Sequence, residues 1–150
     1  MELLWIDLPL FVILIWATYT DLKSRVIPDK LVFIGLCYFL VLRIGYATQP
    51  YYNYLLGMIA GAGILYVCAL IRPGSFGGGD IKLLAVIGAA LGWRESLLFL
   101  CLLLGLAGLY AVTVLLIWKD RKRLMPLSPF FLAIFIMFFT QFLGANLKLT

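Results

Sequence analysis

Gly74-Ser75-Phe76-Gly77-Gly78-Gly79-Asp80-Ile81-Lys82 is a glycine-rich turn that ends on an acid, set between two apolar runs. A carboxylate at the mouth of an apolar segment is costly to desolvate unless it is partnered or used. The stretch therefore raises two questions: what the flanking runs build, and what Asp80 meets.

The 150 residues are 65% hydrophobic and only 13% charged, where a soluble domain carries about 25% charged residues. This composition predicts an all-α integral membrane protein, and no linker-like or low-complexity stretch divides it, so residues 1–150 are expected to form one transmembrane domain. Apolar runs extend from about Leu3 to Thr20, Leu31 to Tyr46, Tyr51 to Ile71, Ile81 to Trp93, Ser96 to Trp118 and Pro129 to Leu147. Crossing a bilayer takes about 20 residues, so six transmembrane helices are expected with the fourth short. The polar stretch Asp21–Lys30 reads as the first loop.

Six crossings sort the basic residues. Lys23, Arg25, Lys30, Arg72, Lys82, Lys119, Arg121, Lys122 and Arg123 fall on one side, and Arg43, Arg94 and Lys148 on the other. The positive-inside rule makes the first side cytoplasmic, within a multi-pass protein of the cytoplasmic (inner) membrane whose termini both lie outside. The net charge of +5 does not indicate nucleic acid, because these residues are scattered over short loops and form no continuous face. The lipid bilayer is the expected surrounding. Gly57 and Gly61, Gly88 and Gly92, and Gly105 and Gly108 suggest small faces for helix packing.

No histidine occurs, and Cys37, Cys68 and Cys101 each sit alone in an apolar run, which predicts reduced thiols packed among helices. Neither a disulfide framework nor a metal site is expected, and no cofactor motif is present. The glycines do not continue into the Gly-Lys-Ser/Thr of a phosphate loop.

Chemistry then rests on acids. Glu2, Asp7 and Glu95 fall on the outer side and Asp120 within a basic cluster, which leaves Asp21, Asp29 and Asp80 on the cytoplasmic face. Two carboxyls can hydrolyse an amide if one is ionised, to take a proton from water, and the other protonated, to polarise the carbonyl and donate to the leaving amine. Acids brought close cannot both ionise, so their protonation states separate unaided. Asp21 and Asp80 meet these demands. Simpler readings stand beside this one. Asp80 precedes an apolar run and suits a helix N-cap, and Asp21 suits the polar end of a helix. Pro28-Asp29 reads as the start of the second helix. Lys82 is near enough in sequence to tune the field at Asp80, or extends toward headgroups.

The same residues resemble a known family, the type IV prepilin peptidases, membrane aspartyl peptidases of the GxGD type. Gly77-Gly78-Gly79-Asp80 matches the GxGD element, and Ile81-Lys82-Leu83-Leu84-Ala85 continues it. Asp21 followed by Ile27-Pro28-Asp29 is similar to the first aspartate motif, and Met125–Ala133 to the proline-containing start of the last helix. The resemblance implies a GxGD architecture, Asp21 and Asp80 as the catalytic pair, and Gly77, Gly78, Gly79, Lys82 and Pro28 as supporting positions. It also implies removal, at the cytoplasmic face, of the short basic leader from prepilin-like precursors (pilin, pseudopilin, Flp or preflagellin). Such substrates carry a hydrophobic N-terminal helix after the leader, and local acids such as Asp29 and Asp120 are candidates to meet its charge. Larger members carry a CxxC-containing insertion and N-methylate the product; this chain has neither that insertion nor its cysteines, so methyltransferase activity is expected to be absent. A small proton- or cation-coupled carrier using the same aspartates is the alternative.

Overall fold

The computed structural model describes residues 4–24, 26–47, 49–71, 77–118 and 129–137, and among these every regular element is a helix. The order is α1 (Leu4–Ser24), α2 (Asp29–Gly45), α3 (Tyr51–Ile71), α4 (Gly78–Leu91) and α5 (Trp93–Trp118), followed by a stretch at 129–137, here α6. The remainder of the expected sixth run, the basic link at Lys119–Arg123, Met125–Ser128, and Arg72–Phe76 lie outside the described residues.

Hydropathy locates the helices, but polar residues extend them. The helix α1 does not stop at Thr20. It continues to Ser24, so Asp21 lies in its last turn and not in a loop. Side-chain hydroxyls near the end of this helix meet backbone carbonyls: Thr20 Oγ1 donates to Trp16 O and Ala17 O, both at 3.0 Å, and Ser24 Oγ to Thr20 O at 2.8 Å. Lys23 in the last turn suits the negative end of the helix dipole. The second helix starts at Asp29, two residues before the expected Leu31, with Pro28 at its N-cap. The expected bounds of α3 match those observed. The short fourth helix is also observed, but it begins at Gly78 and takes in the last two glycines of the turn. Gly92 ends it with φ of +94°, a left-handed backbone region that glycine enters without strain, and α5 starts at the next residue.

α4 is the centre of the bundle. It packs on α1, α2, α3 and α5, and Leu83, Leu84, Val86, Ile87, Gly88, Ala89 and Ala90 are buried along it. Its crossing with α3 is a contact of backbones. A Cβ placed on Gly57 would lie 2.7 Å from Gly88 O and 2.6 Å from Gly92 C, and one on Gly88 would strike the Gly57 backbone. Ser96, fully buried, donates from Oγ to Gly57 O at 3.2 Å and so ties α5 to the same crossing. Gly61 leaves room for that hydroxyl, since a Cβ there would lie 2.5 Å from it. The packing role expected for these glycines holds. Among the described residues no such approach is seen at Gly105 and Gly108, where an added Cβ would meet nothing within 4 Å. Phe131 stacks at 5.7 Å on Phe99 and Phe135 at 6.2 Å on Phe11, which seats α6 between α5 and α1.

The outside of the bundle is as apolar as its inside. Phe33, Ile34, Val41, Ile59 and Ile71 all face outward. The α3 helix and the Trp93–Tyr110 part of α5 are long and apolar enough to cross a membrane, and only 22% of each such window is buried, whereas the core helix of a soluble protein would be mostly covered. This is the surface of a membrane protein. Cys37 and Cys101 share it: they are free and exposed, so the expectation that all three thiols pack among helices fails for two of them, and Cys68 is half-buried.

Opposite effects are expected at two glycines. Gly88→Val must separate α3 from α4 and should lower stability by about 1–3 kcal/mol or prevent accumulation. Gly63→Ala, where the new methyl meets nothing within 4 Å, should be neutral or raise stability by up to about 1 kcal/mol. Thermal unfolding in detergent reads both, and equal losses would refute the crossing.

Candidate active site

The N-terminus of α4 holds the acid of the glycine turn. Gly77, in an extended conformation, is the N-cap, which makes Asp80 the third helical residue and not the cap itself. The capping expected of Asp80 occurs in a different form: Asp80 reaches back, and Gly77 N–H donates to its Oδ2 at 3.2 Å. This is the back-reaching half of a capping box; the forward half needs a side chain that glycine lacks. Asp80 N–H in turn donates to Gly77 O at 3.1 Å. The carboxyl is largely enclosed, with the residue 8% exposed.

Three glycines precede Asp80, and their surroundings differ. A Cβ on Gly77 would press on Asp80 Oδ2 at 3.1 Å. One on Gly79 would meet the Ile27 side chain at 3.0 Å, tighter than a relaxed carbon–carbon contact. Ile27, only 5% exposed, lies in the connection between α1 and α2. The absence of a side chain at Gly79 thus lets that connection settle against the first turn of α4. An added Cβ at Gly78 would meet nothing within 4 Å.

The same connection follows directly on the last turn of α1, which carries half-buried Asp21. Asp21 and Asp80, 59 positions apart in the chain, come near enough for the charge of one to act on the other. Lys82 and Asp29 meet on their own account: Lys82 Nζ lies 2.6 Å from Asp29 Oδ1, both side chains being largely exposed. Lys82 is thereby paired across helices, and Asp29, expected as a helix-start residue and as a candidate to meet leader charge, has a partner on α4. Pro28, at φ −62°, stands between Ile27 and Asp29. Among the described residues, no three of His, Cys, Asp and Glu gather where they could hold a metal ion.

Two positions escaped sequence reasoning. Arg43 sorts by charge as an outer topology signal, yet it is buried at 5% exposure. Its Nε donates to Ala90 O at 3.1 Å, its Nη2 to the same oxygen and its Nη1 to Tyr46 O at 3.3 Å, with the guanidinium 4.3 Å from the centre of the Tyr54 ring. It therefore caps the C-terminal end of the helix whose N-terminal end carries Asp80. Its one sequence signal was an arginine between Leu42 and Ile44 inside an apolar run. Ile27, as a seat for Gly79, left none.

The model of the type IV leader peptidase family matches residues 8–112, which include both aspartates. Three relatives carry the name prepilin leader peptidase/N-methyltransferase. The protein from Bacillus subtilis (strain 168) is 35% identical over 120 residues, 78% of this chain and 48% of its own length. That from Escherichia coli (strain K12) is 30% identical over 125 residues, 79% of this chain and 55% of its own. That from Pectobacterium carotovorum subsp. carotovorum is 33% identical over 125 residues, 80% of this chain and 43% of its own. The chain thus spans about half the length of these relatives. No solved structure matches it with significance. With most of its length matched by the family model and by these relatives, the chain belongs to the type IV leader peptidase family.

Proposed function

We propose that this chain is a membrane-embedded aspartic endopeptidase of the GxGD type in which Asp21 and Asp80 are the catalytic residues. One observation carries the reading: the enclosed acid of α4 lies within electrostatic reach of Asp21 on α1, at one end of an apolar bundle where an idle carboxylate would be costly. The ionised carboxylate takes a proton from water as the water oxygen bonds to the scissile carbonyl carbon. The protonated carboxyl passes its proton to the carbonyl oxygen, giving a neutral gem-diol; the carboxyl that took the water proton then donates it to the leaving nitrogen as the C–N bond breaks, while the other takes a proton from a diol hydroxyl. Each half-reaction exchanges the roles of the pair, so the chemistry needs no group beyond water and the two acids.

Six membrane crossings complete the reading, with the fourth made by α4 and its flanks. The orientation rests on the basic bias already described, which assigns the end bearing Asp21, Lys23, Lys30, Asp80 and Lys82 to the cytoplasmic face. The substrate class follows from the relatives, which are named for prepilin leaders: a precursor with a basic leader ahead of a hydrophobic helix, cut at the membrane boundary. The relatives' names also include N-methyltransferase. That second activity is not assigned to this chain, whose three isolated cysteines form no CxxC pair.

Asp21→Asn and Asp80→Asn should each lower cleavage of a prepilin-like substrate by at least about 10²-fold, the scale of general acid–base catalysis. Cleavage is followed in membranes by the shift in substrate size, with insertion of each variant checked by its amount in the membrane fraction. Wild-type rates from either variant would sink the assignment.

The rate of the unaltered protein should be bell-shaped in pH. Acid protonates the base and alkali removes the proton of the acid, so both limbs belong to the pair. A rate that only rises with pH would show that no protonated carboxyl takes part.

Given labelled S-adenosylmethionine and a substrate that it cleaves, the protein should leave the new amino terminus unlabelled. Incorporation of label by the purified chain would overturn the restriction to peptidase chemistry.

A further inference from the structure

The segment 27–29, which joins α1 to the start of α2, touches the first two turns of α4 at two points. At the first, Ile27 rests against the bare backbone of Gly79. At the second, Lys82 Nζ holds Asp29 Oδ1 at 2.6 Å. Gly79 and Lys82 are three residues apart on α4 and so neighbour each other on its surface, with Asp80 next to Gly79. On the other side, Ile27 and Asp29 flank Pro28, whose ring restricts the backbone between them. Asp21 lies just upstream, in the final turn of α1. The two points of attachment therefore join the ends of the chain segments that carry the two acids.

We propose that the Lys82–Asp29 ion pair is a positioning clamp for catalysis: it holds the first turn of α4 against the α1–α2 connection and thereby sets the separation of Asp21 and Asp80. Neither residue is a catalytic residue in this account. The proposal rests on the reading of Asp21 and Asp80 as the reacting pair. Ile27 on Gly79 fixes the closeness of approach but not rotation about the contact, because one apolar side chain against backbone has no directional preference. An ion pair on the adjoining turn supplies the second point and a direction. The small intrinsic strength of an exposed pair does not argue against this role. Catalysis is sensitive to displacements that stability hardly registers.

The test is steady-state cleavage of a prepilin-like peptide by the purified full chain in detergent, comparing wild type with Lys82→Met, with Asp29→Asn, with both together, and with the charge-swapped pair Lys82→Asp and Asp29→Lys. Each single variant should lose about tenfold in kcat with KM within about twofold, the pattern of a lost transition-state geometry and not of lost binding. The double variant should be no slower than the slower single one, because both remove the same interaction. The charge-swapped pair should recover most of the kcat, and Lys82→Arg should stay near wild type. A rise in KM with kcat unchanged would overturn the clamp and make Asp29 a reader of substrate charge. Unaltered kcat in both single variants would overturn it too, as would a swapped pair that accumulates but stays as slow as the single variants. If the single variants fail to accumulate, the swapped pair and Lys82→Arg alone decide between these outcomes. A wild-type chain that cleaves no such peptide overturns the peptidase reading itself and the clamp with it, a result that no comparison of variants can mimic.

Discussion

A helix of 14 residues is about 21 Å long, and the apolar interior of a bilayer is about 30 Å thick. α4 cannot carry both of its ends out of such a layer, so the unpaired backbone groups at its termini must be met by the protein. The structure meets them at both ends. At the N-terminus, Gly77 N–H is taken by Asp80, and the acid lies where the helix dipole favours negative charge. At the C-terminus, Ala90 O receives the Arg43 guanidinium, Gly88 O receives Gly92 N–H, and the cation lies where the dipole favours positive charge. Hydrogen bonds from a charged donor contribute about 1.5–3 kcal/mol, more than most neutral ones. The aromatic face of Tyr54 against the guanidinium adds about 0.5–2 kcal/mol.

The arrangement at the far end of α4 therefore bears on the site at its near end. Arg43 fixes the axial position of the helix, and the Gly57–Gly88 crossing fixes its distance from α3. What remains adjustable is the first turn, which presents Asp80. Its contacts are of a different kind: one glycine against one isoleucine, and one exposed ion pair that contributes about 0–1 kcal/mol. A firmly held helix with a lightly held acid end suits the proposed catalytic pair, whose carboxyls would have to admit a peptide between or beside them.

Much of this was legible in the sequence, for definable reasons. Run lengths and hydropathy located the helices, and α3 was bounded correctly because Pro50 precedes it and Arg72-Pro73 follows it. The α1 boundary was missed because hydropathy ends a segment where polarity begins, while Thr20 and Ser24 carry the helix onward by bonding its carbonyls. That Asp21 acts electrostatically on Asp80 was legible because few acids occur and most could be set aside by side and context. Pairings between elements were not. Nothing in the spacing of Asp29 and Lys82, 53 residues apart, distinguishes a salt bridge from two solvated charges. Arg43 was read by its charge alone, when its isolation within an apolar run was the more informative property. At Gly105 and Gly108 no close approach is seen among the described residues, because small-residue spacing permits an approach and does not require one.

The glycine turn shows how far pattern reading carries. In sequence, Gly77, Gly78 and Gly79 form one element, and the natural inference from three adjacent glycines is freedom of movement. In the fold they differ. Gly77 supplies the N–H that the acid accepts, in a conformation open to any residue, so its restriction comes from the closeness of Asp80 Oδ2 and not from its backbone angles. At Gly79 an added side chain would press on Ile27, which would have to shift by a few tenths of an ångström. Gly78 has open space around it and no such demand. A GxG pattern with a free middle position follows from these contacts alone: the two outer glycines are each constrained by a neighbour of the acid's own site, and the middle one is constrained by none. The spacing of the motif thus reflects what the first turn of α4 must touch in order to hold an aspartate beside another helix.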